Sequence, residues 1–146
     1  MSANANRDLV QRFLTASNAG RLDAVVGLVT EDFCCEDASG PGGPRLEGRY
    51  ALLEELREVR AALPDVRACL LDAVFEDDRV AFRIRLAGHL NGTPWHGHEP
   101  DGSALSWDRL GIWRIRDGRL AGEVRLDGTC TTEPCPEEDE WLLGTA

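Results

Sequence analysis

The residues best suited to chemistry sit on strand-like stretches. In "EDFCCEDASGPGGP" (31–44), Phe33, Cys35 and Asp37 share one face, while Cys34 and Glu36 share the other. A carboxylate in line with a Phe and a Cys heads toward an apolar interior. There it needs a partner, or its pKa rises toward that of a general base. The competing reading is that Asp37 lies past the strand end and caps the "SGPGGP" turn. In "ALSWDRLGIWRIR", Trp107, Arg109, Gly111, Trp113 and Ile115 share a face. An indole N–H is only a donor and Arg is a permanent cation, so either could hold an enolate or a substrate carboxylate. Otherwise the Trp residues are core and the Arg head reaches solvent. Asp127 closes the last strand, two residues beyond Arg125, at the start of a "DGT" turn. His89, His96 and His98 are all the histidines, and all lie in one connection with Trp95. His96 and His98 with Glu99 or Asp101 have a spacing that could hold a metal. A loop gives such ligands no fixed scaffold, and we expect no metal. His89 stands at a strand end, which suits it better to catalysis. Tyr50, the only tyrosine, opens a helix and either contacts ligand or packs. Trp95 is a further candidate ligand contact.

The elements that must position these residues follow from periodicity. The chain has 146 residues, 42% hydrophobic and 29% charged, which suits one soluble globular domain with a sizeable core. The net charge of −10 argues against nucleic-acid or anionic-membrane partners. Every base is Arg, so lysine Schiff-base chemistry and a P-loop lysine are excluded. No apolar run spans a membrane and no signal peptide is evident. The five cysteines lack CxxC spacing, which fits free thiols in a reducing cytoplasm, and a cytoplasmic location is expected.

"ANRDLVQRFLTASNAG" reads as a helix with Leu9, Val10, Phe13 and Leu14 as its apolar stripe. A second short helix lies in "RLDAVVGLVTEDF", with Leu22, Val25, Val26 and Val29 inward. A third, "GRYALLEELREVRAALPD", repeats Leu52, Leu53, Leu56, Val59 and Leu63 and ends at Pro64. The period then changes to two through "VRACLLDAVFED", "VAFRIRLAG", "ALSWDRLGIWRIR" and "RLAGEVRLDGT", with a hairpin turn at Asp117-Gly118. Helices followed by antiparallel strands predict an α+β fold, a curved sheet wrapped around helices. The tail from residue 129 to 146 is acidic and Pro-containing, and is expected to be partly loose.

The ordered set "LVQRFLTASNAGRLDAVVGLVTEDF", "LEGRYALLEELREVRAALPDVRA", "DDRVAFRIRLAGHLNGT" and "PDG…GIWRIRDGRLAGEV" resembles the SnoaL-like polyketide cyclases, over roughly residues 8–128. These belong to the superfamily of nuclear transport factor 2 and ketosteroid isomerase. The resemblance implies a conical α+β barrel with a mixed, mostly antiparallel sheet and a ligand pocket inside the cone. It implies one domain, residues 1–146. It also implies that Asp37 falls where ketosteroid isomerase carries its aspartate base. In that isomerase the environment separates the pKa values of two acids, so that one is a base and the other a donor. The isomerase's oxyanion tyrosine and protonated aspartate would fall at Phe13 and Gly111, so that donor pair is missing here. The arginine–aspartate relay of limonene-type epoxide hydrolases is missing from "FRIRLAG" as well. By the same resemblance Asp127 points inward as an acid–base residue, though "GEVRLD" matches that pattern imperfectly. His89 lies near a family histidine that more often stands one residue later, at Leu90.

The expected function is a cofactor-independent cyclase or isomerase of secondary metabolism. Asp37, Asp127 and His89 would move protons, and Phe13, Tyr50, Trp95, Trp107, Arg109 and Trp113 would contact a polyketide-type substrate. The alternatives are a non-catalytic binder of a small hydrophobic ligand and a dimerisation module. A homodimer is expected on any of these readings, because Leu110, Ile112, Leu120, Val124 and Leu126 leave the second sheet face apolar. The tail's Trp141, Leu142 and Leu143 are the other candidate cover.

Overall fold

The apolar spacings of the first part of the chain fold as helices. In the computed structural model, which describes residues 3–38 and 45–137, α1 (Ala3–Asn18) buries Leu9, Val10, Phe13 and Leu14. The short α2 (Leu22–Val26) buries Val25, and α3 (Arg49–Ala62) buries Leu52, Leu53 and Val59. Arg60 of α3 donates from Nη2 to the carbonyls of Ser17 (3.1 Å) and Asn18 (2.7 Å), where the C-terminal end of α1 attracts a cation.

The strands are β1 (Val29–Asp37), β2 (Arg45–Glu47), β3 (Arg67–Glu76), β4 (Arg79–His89), β5 (Ala104–Arg116) and β6 (Arg119–Asp127). They form one sheet in the order β2-β1-β6-β5-β4-β3. β1 runs parallel to β6 and the other neighbours are antiparallel, so the sheet is mixed and mostly antiparallel. It curves over the helices and stays unclosed between edge strands β2 and β3, giving the expected α+β cone. The strand β2 was not anticipated: three residues are too few to display a period.

Val80, Phe82, Ile84 and Leu86 of β4 and Trp107, Trp113 and Ile115 of β5 turn inward and are buried. Leu120, expected on the outer face, is buried instead. A register shift between Arg114 and Ile115 sets Ile115 opposite Leu120 and moves that side chain to the inner face. At the β3 edge, the Asn18 amide pairs with the backbone. Nδ2 donates to the Ala68 carbonyl (2.9 Å), and the Ala68 N–H donates to Oδ1 (2.8 Å). The connection after β4 is pinned to the end of α3 by N–H donations from Gly92 to Ala62 O and from Thr93 to Ala61 O. A Cβ at Gly92 would overlap the Ala61 carbonyl, so the close approach requires glycine there.

Between residues 128 and 135 the tail is tied to the sheet. Gly128 donates to Asp108 O, and Ser106 and Thr131 exchange backbone hydrogen bonds of 2.8 and 2.7 Å. Arg85 Nη1 donates to Pro134 O at 3.1 Å. Trp141, Leu142, Leu143 and the "SGPGGP" turn lie outside the described residues.

Candidate active site

β1, β5 and β6 project side chains toward the inner face of α3, and the connection carrying Trp95 closes over them. The result is a cavity of about 360 Å³ lined by Asp37, Asp127, Arg109, Trp95 and Trp107. Five of the residues singled out from sequence therefore meet in one place. Asp37 is the last residue of β1, in register with Arg125 of the parallel β6, and half-buried. Asp127 lies opposite Arg109 across the β5–β6 pair. Arg109 donates from Nε to Oδ1 (2.6 Å) and from Nη2 to Oδ2 (3.3 Å), a two-pronged fork. Trp95 and Trp107 stack with centroids 5.9 Å apart, forming a flat apolar part of the cavity wall. Cavities of this size and character suit a small organic ligand.

Four of the expected site residues are placed elsewhere. Phe13 meets Trp113 edge-on, with centroids 6.1 Å apart, and Phe82 stacks on Trp113 at 3.8 Å. All three are core, and the Phe82 ring fills the space above Gly111. Tyr50 is 68% exposed, beside the Arg49 guanidinium. His89 is half-exposed, its Nδ1 2.7 Å from Asp65 Oδ2, while its own backbone N–H donates to Asp65 Oδ1 at 2.7 Å. Burial pushes the Asp65 carboxyl up, but the His89 hydrogen bonds outweigh it and hold Asp65 below the usual carboxylate range. His89 does not line the cavity that holds the two aspartates.

Sequence reasoning missed the ionic network beneath the cavity. Arg125, only 5% exposed, sets Nε 2.8 Å from Glu123 Oε2 and Nη1 2.8 Å from Glu55 Oε1. The Arg125 Nε is also 2.8 Å from Cys35 Sγ. Glu123 accepts from the Trp113 indole N–H at 2.7 Å and from the Cys35 thiol at 3.7 Å. Burial disfavours the Arg125 cation, yet Glu123 and Glu55 more than compensate and hold its pKa above the ordinary value. Burial first, and then the Glu123 charge, push the Cys35 thiol up to about 12, so it is an unreactive neutral side chain. Arg125 Nη2 is buried with no hydrogen-bond partner among the described residues. The signal was available: Glu123, Arg125 and Asp127 alternate on one face of β6, and Glu55 lies on the α3 stripe.

Glu58, His96 and Cys130 also line the cavity and were not assigned to it from sequence. A second cavity of about 260 Å³ shares Glu55, Val59 and Arg109 with the first. It continues under α3 between apolar Leu22, Leu56, Val66, Ala68 and Leu86. Among the described residues, no group of three or more His, Cys, Asp or Glu could hold a metal ion, and no helix is long and apolar enough to cross a membrane.

Residues 10–123 match the model of the SnoaL-like domain family. The fold is similar to that of IdmH from Streptomyces antibioticus, described as a candidate polyketide cyclase. The identity is 25%, over 82% of this chain and 89% of that one, with a TM-score of 0.71. It is also similar to AclR from Streptomyces galilaeus, described as a candidate hydroxylase, at 19% identity over 87% and 77% of the chains and a TM-score of 0.75. A candidate ketosteroid isomerase from Kribbella flavida is 16% identical over 93% and 86% of the chains, with a TM-score of 0.66. The last two likenesses establish the fold alone. No curated protein matches the chain.

Proposed function

The chain belongs to the SnoaL-like domain family, and we propose that it is a cofactor-independent cyclase or isomerase acting by proton transfer on a polyketide-type carbonyl compound. The observation that carries this reading is the shared cavity. Two carboxylates, Asp37 and Asp127, line a ligand-sized space together with a stacked Trp95–Trp107 pair. The roles of the two acids differ by environment. Asp127 is paired with the Arg109 fork, which suits it to orienting the substrate or relaying a proton. Asp37 would remove the proton α to a carbonyl, and return of that proton to a different carbon or oxygen completes an isomerisation or ring closure. His89, paired with Asp65 outside the cavity, is the weaker candidate for that return.

The negative charge that develops on the substrate oxygen needs a donor. Trp113 is committed to Glu123, and Arg109 to Asp127. Arg125, with one buried nitrogen unpaired, is the donor we assign in place of the pair missing at Phe13 and Gly111. The apolar second cavity would take the body of a polycyclic or chain-like substrate. On the outer face, Leu110, Ile112 and Leu126 are exposed, and a second copy of the same sheet would cover them, giving a homodimer.

A second reading, a non-catalytic binder of small hydrophobic ligands, draws support from the Arg109–Asp127 pair, which satisfies both charges without a substrate. Exchange in deuterated water separates the two. With 2-tetralone as probe, the catalytic reading expects NMR to show protein-accelerated loss of the α-protons. Saturable binding without accelerated exchange would favour the binder.

A further inference from the structure

We propose that Cys69 and Cys135 are a redox modification site: they close to a reversible disulfide that staples the C-terminal segment across the sheet and stiffens one wall of the cavity. The proposal is independent of the reaction assigned to that cavity.

The sheet register brings the two sulfurs together. Cys69 of β3 lies opposite Arg85 of β4, and Arg67 is its neighbour two residues back on the same face. Cys135 Sγ sits 3.5 Å from the Arg85 carbonyl and 3.6 Å from the Arg67 carbonyl, so it rests on the strand pair that carries Cys69. Cys69 is fully buried although it lies on the outer face, where the segment covers it. The two thiols shift one another's titration, and both are free in this structure. A disulfide requires two Cβ atoms at short range, and Cys135 rests over the carbonyls that flank Cys69, from Arg67 on its own strand and from Arg85 opposite it.

The segment between the clasp and β6 belongs to the cavity. Gly128 and Cys130 line it, Thr131 bridges to Ser106, and Pro134 accepts from Arg85. Fixing residue 135 therefore holds the wall through a stretch already tied at 128 and 131. The other cysteines do not share this placement. Cys35 is held by Glu123 and Arg125, and Cys130 is exposed at the cavity.

The chemistry balances with a disulfide oxidant such as oxidised glutathione. The hydrogen bond from Cys69 lowers the Cys135 thiol below its usual range, against the effect of burial, so Cys135 attacks first. One glutathione leaves as a thiolate, and a mixed disulfide remains on Cys135. The hydrogen bond to Cys135 and burial raise the Cys69 thiol, which makes it the slower, resolving sulfur. Cys69 then displaces the second glutathione from Cys135. The protein loses two electrons and two protons, and both protons end on the two glutathione thiols. A reducing thiol pool reverses the sequence, so the clasp reports redox poise.

The test uses the full chain with Cys130→Ser, which leaves one cysteine on the C-terminal side of β6. The protein is incubated with oxidised glutathione, quenched by alkylation and mapped by mass spectrometry without reduction. The expected product is a monomeric chain lighter by two hydrogens, with residue 69 joined to residue 135. Its Tm should be roughly 5–10 °C above that of the reduced form. Amide exchange over residues 129–134 should slow by about tenfold or more. Cys135→Ser should lose the link and both shifts. Glutathione retained on Cys135 without ring closure, a bond between two chains, or a 69–135 link that leaves Tm and exchange unchanged would overturn the proposal.

Discussion

Each face of the β5–β6 pair departs in part from what a solvated sheet displays. Inside, Arg109, Glu123, Arg125 and Asp127 bring charge beneath a helix, and each is paired. Outside, Leu110 is 51% and Ile112 41% exposed, while the charges there gather further along, where Asp108 binds both Arg83 and Arg85. Burying ions is unfavourable unless partners satisfy them, and exposing leucine forgoes burial that folding could have used. The inner face fits the proposed site, and the outer face fits the proposed contact between two copies.

The contrast between the faces fails most visibly if the inner ions are decorative. Arg125→Met strands Glu123 and Glu55 beside a hydrophobic core, and should cost about 3–5 kcal/mol in denaturant unfolding. Arg83→Met on the outer face, where the pair is half-exposed, should cost about 1 kcal/mol or less. Equal costs would erase the distinction between the faces.

The outer face is tested by assembly. The wild-type chain should sediment as a dimer at micromolar concentration. Leu110→Asp with Ile112→Asp would bury unpaired charge in the contact and should leave monomers or aggregates. A wild-type monomer would mean that this face has no protein partner of its own kind.

Acid separates the faces by a smaller amount. The Arg85 hydrogen bond, opposed by burial and assisted by Arg83, holds the Asp108 carboxyl below its ordinary 3.8. A depressed carboxylate contributes stability that is complete above its unfolded pKa and is lost as pH falls through the folded value. The fall in Tm below about pH 4 should therefore be shallower in Asp108→Asn than in the wild type. Parallel curves would show that the outer cluster is solvated and inconsequential.

Much of this fold was legible because helices and strands announce themselves by period. Leu52, Leu53 and Val59, or Val80, Phe82, Ile84 and Leu86, needed nothing beyond spacing. What period cannot supply is depth along a strand. Trp107 and Trp113 share a face, yet about 20 Å of strand separates them. One lines the cavity and the other packs among Phe13 and Phe82. Period also fails at a bulge, which is why Leu120 changed sides. Asp37, Asp127, Arg109, Trp95 and Trp107, which line one cavity, were readable as candidates because their types suggest chemistry. Arg125, Glu123 and Glu55 were missed despite their alternation and stripe position, because charges in a sequence look solvated until the fold brings their partners from separate elements.

The proposed chemistry depends on Asp37 as the base in that cavity. The most direct measurement is the α-proton exchange rate of 2-tetralone in deuterated water with wild type, Asp37→Asn and Asp127→Asn, each checked for an unchanged fold by circular dichroism. Asp37→Asn should lower the exchange rate by about 10²–10⁴-fold, the usual contribution of a positioned general base. An Asp37→Asn protein that still exchanges within a few-fold of wild type would contradict that role.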